Sequence, residues 1–165
     1  MAKDWFIRRA SPSDLEAILT LEGTCPEAPH WSRPVWQKAL SQEHGSVPCR
    51  TAFVAQHIAG IWGFAIGTCA GDLAELESVA VSEHARRHGI GKALCLRVME
   101  WSRETGAQTI ELEVRASSEG ALALYRSLGF VEQGRRPRYY QCPTEDAVLM
   151  AISIDPPAQQ NVAVG

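Results

Sequence analysis

Two periods of apolar and polar residues run along this chain, and they divide it into strands and helices. Trp5 and Ile7 alternate with Phe6 and Arg8, which predicts a first strand over 5–10. Ser11-Pro12-Ser13-Asp14 then carries the signals of a helix start. Ser11 can cap it, Pro12 suits a first turn, and Asp14 favours the positive end of the dipole. Leu15, Ile18, Leu19 and Glu22 follow at helical spacing. Two prolines exclude a regular helix in Cys25-Pro26-Glu27-Ala28-Pro29-His30-Trp31, so an ordered loop with a large aromatic is expected. Ser32 is placed to cap a second short helix carrying Trp36, Ala39 and Leu40, and a turn is expected over 44–48. Three strand-like runs come next, over 51–56, 58–68 and 73–81, punctuated by Gly45, Gly60 and Gly71-Asp72. They predict an antiparallel meander.

The helical period returns over 89–104, where Ile90, Leu94, Val98 and Trp101 share one face and Gly106 ends the run. Over 109–115 the period is two. Ile110, Leu112 and Val114 face one way; Thr109, Glu111, Glu113 and Arg115 face the other. A further helix carries Ala121, Leu124, Tyr125 and Leu128 on one stripe and stops at Gly129. Two closing strands are expected over 130–141 and 146–154. The order β-α-α-β-β-β-α-β-α-β-β describes an α/β sheet of mixed direction with helices on its faces. Its strand–turn–helix–strand unit makes the strands ending near Val81 and Arg115 parallel neighbours. A single domain over 1–155 and a disordered tail over 156–165 are expected.

Composition narrows the class without changing this outline. Hydrophobic residues make up 45 % and charged residues 21 % of 165, as in an ordered globular protein. A net charge of −3 argues against a general nucleic-acid binder. Cys25, Cys49, Cys69, Cys95 and Cys142 contain no C-x-x-C pair. They fit reduced, packed thiols in a cytoplasmic protein better than a disulfide framework. Met1-Ala2-Lys3-Asp4-Trp5 lacks the apolar core of a signal peptide, and no run of about 18 apolar residues predicts a membrane span.

The segment richest in chemistry is the turn Arg86-Arg87-His88-Gly89-Ile90-Gly91, followed by Lys92. It opens a helix, and a helix N-terminus offers unpaired N–H groups and partial positive charge. Gly89 and Gly91 let the backbone approach a ligand, and Arg86, Arg87 and Lys92 supply cations. The turn is therefore a candidate diphosphate site, against the plainer reading of a solvated basic loop. A nucleotide P-loop is excluded because position 93 is Ala, which removes the magnesium-binding hydroxyl. One G-x-G alone does not make a Rossmann fingerprint.

The turn resembles the Q/R-x-x-G-x-G/A motif of the GNAT superfamily of N-acetyltransferases. The resemblance continues through Glu77-Ser78-Val79-Ala80-Val81, Leu112-Glu113-Val114-Arg115-Ala116-Ser117, Ala123-Leu124-Tyr125 and Leu128-Gly129-Phe130. With Pro29-His30-Trp31-Ser32 and Arg135-Arg136-Pro137-Arg138-Tyr139-Tyr140, these runs are similar to the RimI-like branch, the ribosomal-protein-alanine N-acetyltransferases. The resemblance implies a single-domain GNAT-like fold with a mixed, mostly antiparallel sheet, helices on both faces and a parallel splayed strand pair. It implies acetyl-CoA as cosubstrate, no metal, and a protein or peptide N-terminus as acceptor, notably of a ribosomal protein. No nucleic acid or membrane is implied as a partner. Acetyl-CoA would contact Val79, Ala80 and Val81 along a bulged strand, and Arg86, Arg87, His88, Gly89, Ile90, Gly91 and Lys92 at the turn. Ser118 stands where the branch usually has Asn, and Ser78 where Asn or Thr is commoner.

By the same resemblance Glu113 is the general base and Tyr125 the general acid. The residues alone leave other readings open. Glu111, Glu113 and Arg115 form a strand face that solvation would explain, and Tyr125 lies on an apolar helical stripe. Glu75 and Glu77 are alternative bases. Glu111, Glu27 or Glu75 would attract a basic acceptor segment. His84 and His88 stand four apart but flank a cationic turn that repels a metal, and Cys95 reads as a buried thiol rather than a nucleophile. Acetyl transfer to a small amine or a lysine side chain, and a non-catalytic acyl-CoA-binding module, are the competing functions.

Overall fold

The computed structural model of the protein describes residues 3–41 and 47–155. The expected tail over 156–165 and most of the expected 44–48 turn lie outside these residues. The elements run β1 (Trp5–Arg9), α1 (Leu15–Thr24), α2 (Arg33–Leu40), β2 (Cys49–His57), β3 (Gly60–Ala70), β4 (Leu73–Val81), α3 (Ile90–Glu104), β5 (Thr109–Arg115), α4 (Glu119–Ser127), β6 (Val131–Tyr140) and β7 (Glu145–Ser153). Short 3-10 turns at Pro12–Asp14 and Glu83–Ala85 lead into α1 and towards α3. The order and type of the expected elements match, and their ends move by only a few residues.

The strands form one sheet in the order β1-β2-β3-β4-β5-β7-β6. All neighbours are antiparallel except β4 and β5. Alternation along the central strands sends side chains to two cores. Phe53, Ala55, Ala65 and Leu76 join Ile110, Leu112 and Val114 on the face covered by α3 and α4. Val54, Phe64, Ile66 and Ala80 pack with Ile18, Leu21 and Trp36 of α1 and α2 on the other.

Helix α3 buries Ile90, Leu94, Val98 and Trp101, the face its period predicts. It lies so close to β3 that the strand must be bare beneath it. A Cβ on Gly67 would stand 2.7 Å from Val98 Cγ1, and one on Gly63 would stand 3.1 Å from Leu94 Cδ1 and 3.2 Å from Ile90 Cγ2. Helix α4 differs from its reading. Leu122, which the stripe omitted, is its buried residue, while Ala121, Leu124, Tyr125 and Leu128 are only partly covered. That stripe faces partly into an open cleft rather than wholly into core.

Asp14 lies in the first turn, as expected, and binds more than the dipole. Its carboxylate accepts the Ser11 N–H at 2.8 Å and both Arg8 guanidinium nitrogens at 2.7 Å. The pair ties β1 to the start of α1.

The contact under α3 has a measurable consequence. Gly67→Val should destabilise the fold by about 1–3 kcal/mol, because neither Val98 nor the Trp101 ring can withdraw without moving the helix. Urea denaturation would measure this; an unchanged midpoint would show that the helix yields freely.

Candidate active site

Strands β4 and β5 pair in parallel only through Leu73, Ala74 and Glu75 with Thr109, Ile110 and Glu111. The parallel neighbours expected near Val81 and Arg115 are therefore joined at their starts and separate before those ends. The register against β3 shows the cause. Ile66 opposes Ser78 but Gly67 opposes Leu76, so Glu77 is an extra residue on β4. Such a bulge bends its strand and increases its twist. The Arg50 guanidinium holds the Glu77 carboxylate through bonds of 2.9 and 2.8 Å and stacks 5.1 Å from the Trp31 ring.

The separation opens a cleft of about 790 Å³. Val79, Ala80 and Val81 form one wall; their inner edge pairs with β3, and their outer edge has lost β5. The start of α3 forms the floor. Arg87 and Gly89 take left-handed backbone angles, with φ of 65° and 77°. The first helical bond runs from the Ala93 N–H to the Gly89 carbonyl at 3.0 Å. The N–H groups of Ile90, Gly91 and Lys92 thus have no acceptor within the helix. Arg86, Arg87 and Lys92 line the same space.

Two expected residues are placed with a restriction. The Ile90 side chain is buried in the core, so only its main chain reaches the cleft. His88 is not among the lining residues; its Nδ1 lies 2.9 Å from the Arg86 carbonyl oxygen, and its ring faces Trp62. His84 meets Trp62 edge-on, and His57 stacks on that indole at 3.7 Å. Among the described residues, no group of three or more His, Cys, Asp or Glu side chains is arranged to hold a metal.

The opposite wall combines Ser117, Ser118, Gly120, Ala121, Leu124 and Tyr125 with the loop Cys25, Pro26, Glu27 and Ala28. Sequence reasoning gave a role only to Glu27 of this loop, as an attraction for a basic acceptor segment, and did not place the loop in the cleft wall. Buried Glu22 holds it in place, accepting the Trp36 indole N–H at 2.8 Å and the Trp31 N–H at 3.0 Å. The only hint was a charged residue on an apolar helical stripe.

Tyr125 packs edge-on against Phe130 at 5.9 Å. Burial holds its hydroxyl well above the ordinary tyrosine value, and Cys95, Tyr140 and Glu27 add to the shift. The surroundings act on thiols in the same way: burial pushes Cys95 up to about 12. Cys95 is fully buried and carries none of the cationic neighbours that activate a nucleophile.

Glu113 lies elsewhere. It lines a second cavity of about 220 Å³ with Glu75, Glu111, Gln133 and Arg136, on the sheet face opposite Ile110 and Leu112. Its Oε1 is 3.3 Å from Arg136 Nη2, and it receives a hydrogen bond from the Tyr139 hydroxyl. Burial raises Glu75 above the ordinary carboxylate value, and the charges of Glu77, Glu113 and Glu111 raise it further. Tyr140 is within electrostatic reach of both Glu113 and Tyr125, and it lines neither cavity. Burial, then Glu113, pushes its hydroxyl up to about 12. The roles of Arg50, Arg136, Tyr139 and Tyr140 were not legible in the chain, because they depend on strands distant in sequence.

A mixed sheet opened at its parallel pair, with a cationic helix start in the opening, defines an acyltransferase-like fold. The chain belongs to the Acetyltransferase (GNAT) family, whose sequence model matches residues 13–130. Over 95 residues it is 43 % identical to the ribosomal protein bS18-alanine N-acetyltransferase of Escherichia coli (strain K12). That stretch covers 55 % of this chain and 63 % of the relative, less than two thirds of its length. The crystal structure of the ribosomal-protein-S18-alanine N-acetyltransferase from Escherichia coli matches with a TM-score of 0.80 at 31 % identity, covering 94 % of this chain and 97 % of that one. Arabidopsis thaliana NAA60, solved in complex with acetyl-CoA, shares the fold at 20 % identity and a TM-score of 0.79, over 91 % of this chain and 98 % of its own.

All three tyrosines, Tyr125, Tyr139 and Tyr140, are held above the ordinary value of about 10. Raised acids of this kind keep their protons as pH climbs through that value. Spectrophotometric titration of the folded chain should therefore show less tyrosinate at pH ~10 than the half-ionisation of ordinary tyrosines, with foldedness followed by circular dichroism. Half of the three rings ionised at that pH, as for ordinary tyrosines, would contradict the shifts that burial causes at Tyr125 and Tyr140 and that Glu113 causes at exposed Tyr139.

Proposed function

We propose that the chain transfers the acetyl group of acetyl-CoA to an amine, by direct attack in a ternary complex. The observation that carries this reading is the cleft where β4 leaves β5, with a peptide edge along one side and an anion cradle at its floor. Its volume lies in the range of about 300–1,000 Å³ common for small-molecule and cofactor sites. Val79, Ala80 and Val81 line the pantetheine arm, and a freed N–H on this edge polarises the thioester carbonyl. Residues 86–92 hold the pyrophosphate through main-chain N–H groups and the Arg86, Arg87 and Lys92 cations. Ser118 stands at the N-cap position of α4 on the cleft wall without a side-chain capping bond, and its reach to the ligand is shorter than that of the family's asparagine.

The acceptor we infer is the N-terminal α-amine of a protein, of the ribosomal-protein-alanine kind named for the bacterial relatives. An α-amine has a pKa of about 7.7–8.0, so a modest base suffices to make it nucleophilic. Glu113 takes that proton, directly or through water, and Tyr125 returns one to the departing thiolate. Glu75 is the second candidate base, since its raised carboxyl is closer to the operating pH and shares the Glu113 cavity. Glu77 is bound to Arg50 at the bulge, a structural role. Among the described residues no helix is long and apolar enough to cross a membrane. From the ribosomal protein named for the bacterial relatives, and not from this absence, we place the reaction in the cytoplasm.

Glu113→Gln and Tyr125→Phe should each lower kcat by roughly 10²–10⁴-fold in a thiol-release assay with an N-terminal peptide. Glu75→Gln should lower it less, and the reverse order would move the base to Glu75. Unchanged turnover in either of the first two variants would remove that residue from the mechanism.

Arg87→Ala should raise the KM for acetyl-CoA several-fold with little change in kcat, because it binds a part of the ligand remote from the reaction. Mass spectrometry of extract N-termini after incubation with labelled acetyl-CoA identifies the acceptor. Acetylation of polyamines alone would reject the N-terminal reading. Tight acetyl-CoA binding without transfer to any peptide would favour a non-catalytic module.

A further inference from the structure

Cys49 and Cys69 lie directly opposite each other on the antiparallel ladder of β2 and β3. Opposed residues on such a ladder have Cα atoms about 4.5–5.5 Å apart. A disulfide spans roughly 4.4–6.8 Å between the same atoms. Both side chains lie on the face covered by α3, in a row that continues through Ala74 and Ile110. The Cys49 thiol already reaches across the ladder to donate to the Cys69 carbonyl at 3.5 Å. Cys69 is buried, and Cys49, at the start of its strand, is half-buried. One thiol is thus open to a reagent and the other stands behind it. The other cysteines are placed apart: Cys25 at the end of α1, Cys95 inside α3, and Cys142 in the exposed turn between β6 and β7.

We propose that Cys49 and Cys69 are a dithiol–disulfide couple, a modification site that takes small disulfides of the glutathione type. The Cys49 thiolate attacks one sulfur of the small disulfide and expels one small thiol, leaving a mixed disulfide. The Cys69 thiolate then attacks the Cys49 sulfur and expels the second small thiol. The two cysteines lose two electrons and two protons, and the reagent is reduced to two thiols. Burial and the neighbouring Cys69 hold the Cys49 thiol above its ordinary value. The first step therefore speeds up as pH rises, while the second is made fast by proximity. The bridge fixes the start of β2 to β3 one residue before Arg50, whose guanidinium secures the β4 bulge.

The test uses the full chain, incubated natively with oxidised glutathione and compared with a dithiothreitol-treated sample. The proposal expects a mass loss of two hydrogens, protection of two of the five cysteines from alkylation, and one linked peptide pair containing Cys49 and Cys69. It also expects Tm to rise by several degrees on oxidation and to fall back on reduction. Cys69→Ala should stop at a stable glutathione adduct on Cys49. Should that variant fail to fold, Cys49→Ser, at the half-buried position, should show neither mass loss nor Tm shift. A persistent Cys49 adduct in the unmodified sequence, a bridge between other cysteines, or a lower Tm on oxidation would overturn the proposal.

Discussion

The parallel ladder between β4 and β5 lasts three residues, and the extra residue Glu77 marks where it is lost. A sheet normally satisfies its backbone groups with neighbouring strands. Here the outer edge of Val79–Val81 is left without one; the Val81 carbonyl accepts from the Cys25 thiol and from Arg86 Nε, and the rest of the edge needs a ligand or water. The bulge is not left to local preference. Arg50 reaches from β2 to clamp Glu77, and Trp31 covers the guanidinium. Glu22, in turn, fixes Trp31 through its N–H. A chain of contacts therefore links α1, the 25–31 loop, β2 and β4, and both walls of the cleft depend on it.

The same geometry separates opposite charges. Arg86, Arg87 and Lys92 surround the helix start in the larger cleft. Glu75, Glu111 and Glu113 share the smaller cavity on the other face. The period of two along β5 enforces this division, since Ile110, Leu112 and Val114 must enter the core beneath α3 and α4. Under the proposed function, the anionic cosubstrate takes the cationic cleft and the amine the acidic cavity. Arg136 beside Glu113 limits the concentration of negative charge at that point.

Much of this was legible in the chain because it is local. The helix start at 86–92, the alternation over 109–115 and the α3 stripe each follow from spacing within one element. Pairing across the sheet was less accessible. The parallel contact between β4 and β5 was anticipated from the element order, but a register shift cannot be read from one strand, so the splaying was expected only through the family resemblance. Tyr125 was read as one of an apolar stripe, and the stripe proved to line a cleft while Leu122 enters the core. His88 fell within the turn by position, yet its ring folds back towards Trp62. Tyr140 and Arg136 lie on an edge strand whose exposed pattern carries little periodic information.

The buried setting of Tyr125 bears directly on the proposed proton transfer. A phenol raised above 10 is a weak acid, and an ordinary thiolate, with a pKa near 8.5, would accept its proton poorly. The two values do not belong to the same environment, however. Beside Tyr125, burial pushes the Cys95 thiol up to about 12. A thiolate released into comparable surroundings is strengthened as a base by the same desolvation. The hydroxyl and the leaving sulfur are thus shifted in one direction, and the gap between them narrows. An exposed tyrosine would be the stronger acid, but it would admit water that stabilises the thiolate in its place. Enclosure of the acid and of the leaving group is therefore one requirement, and Phe130, Leu124 and the Cys25–Ala28 loop meet it together.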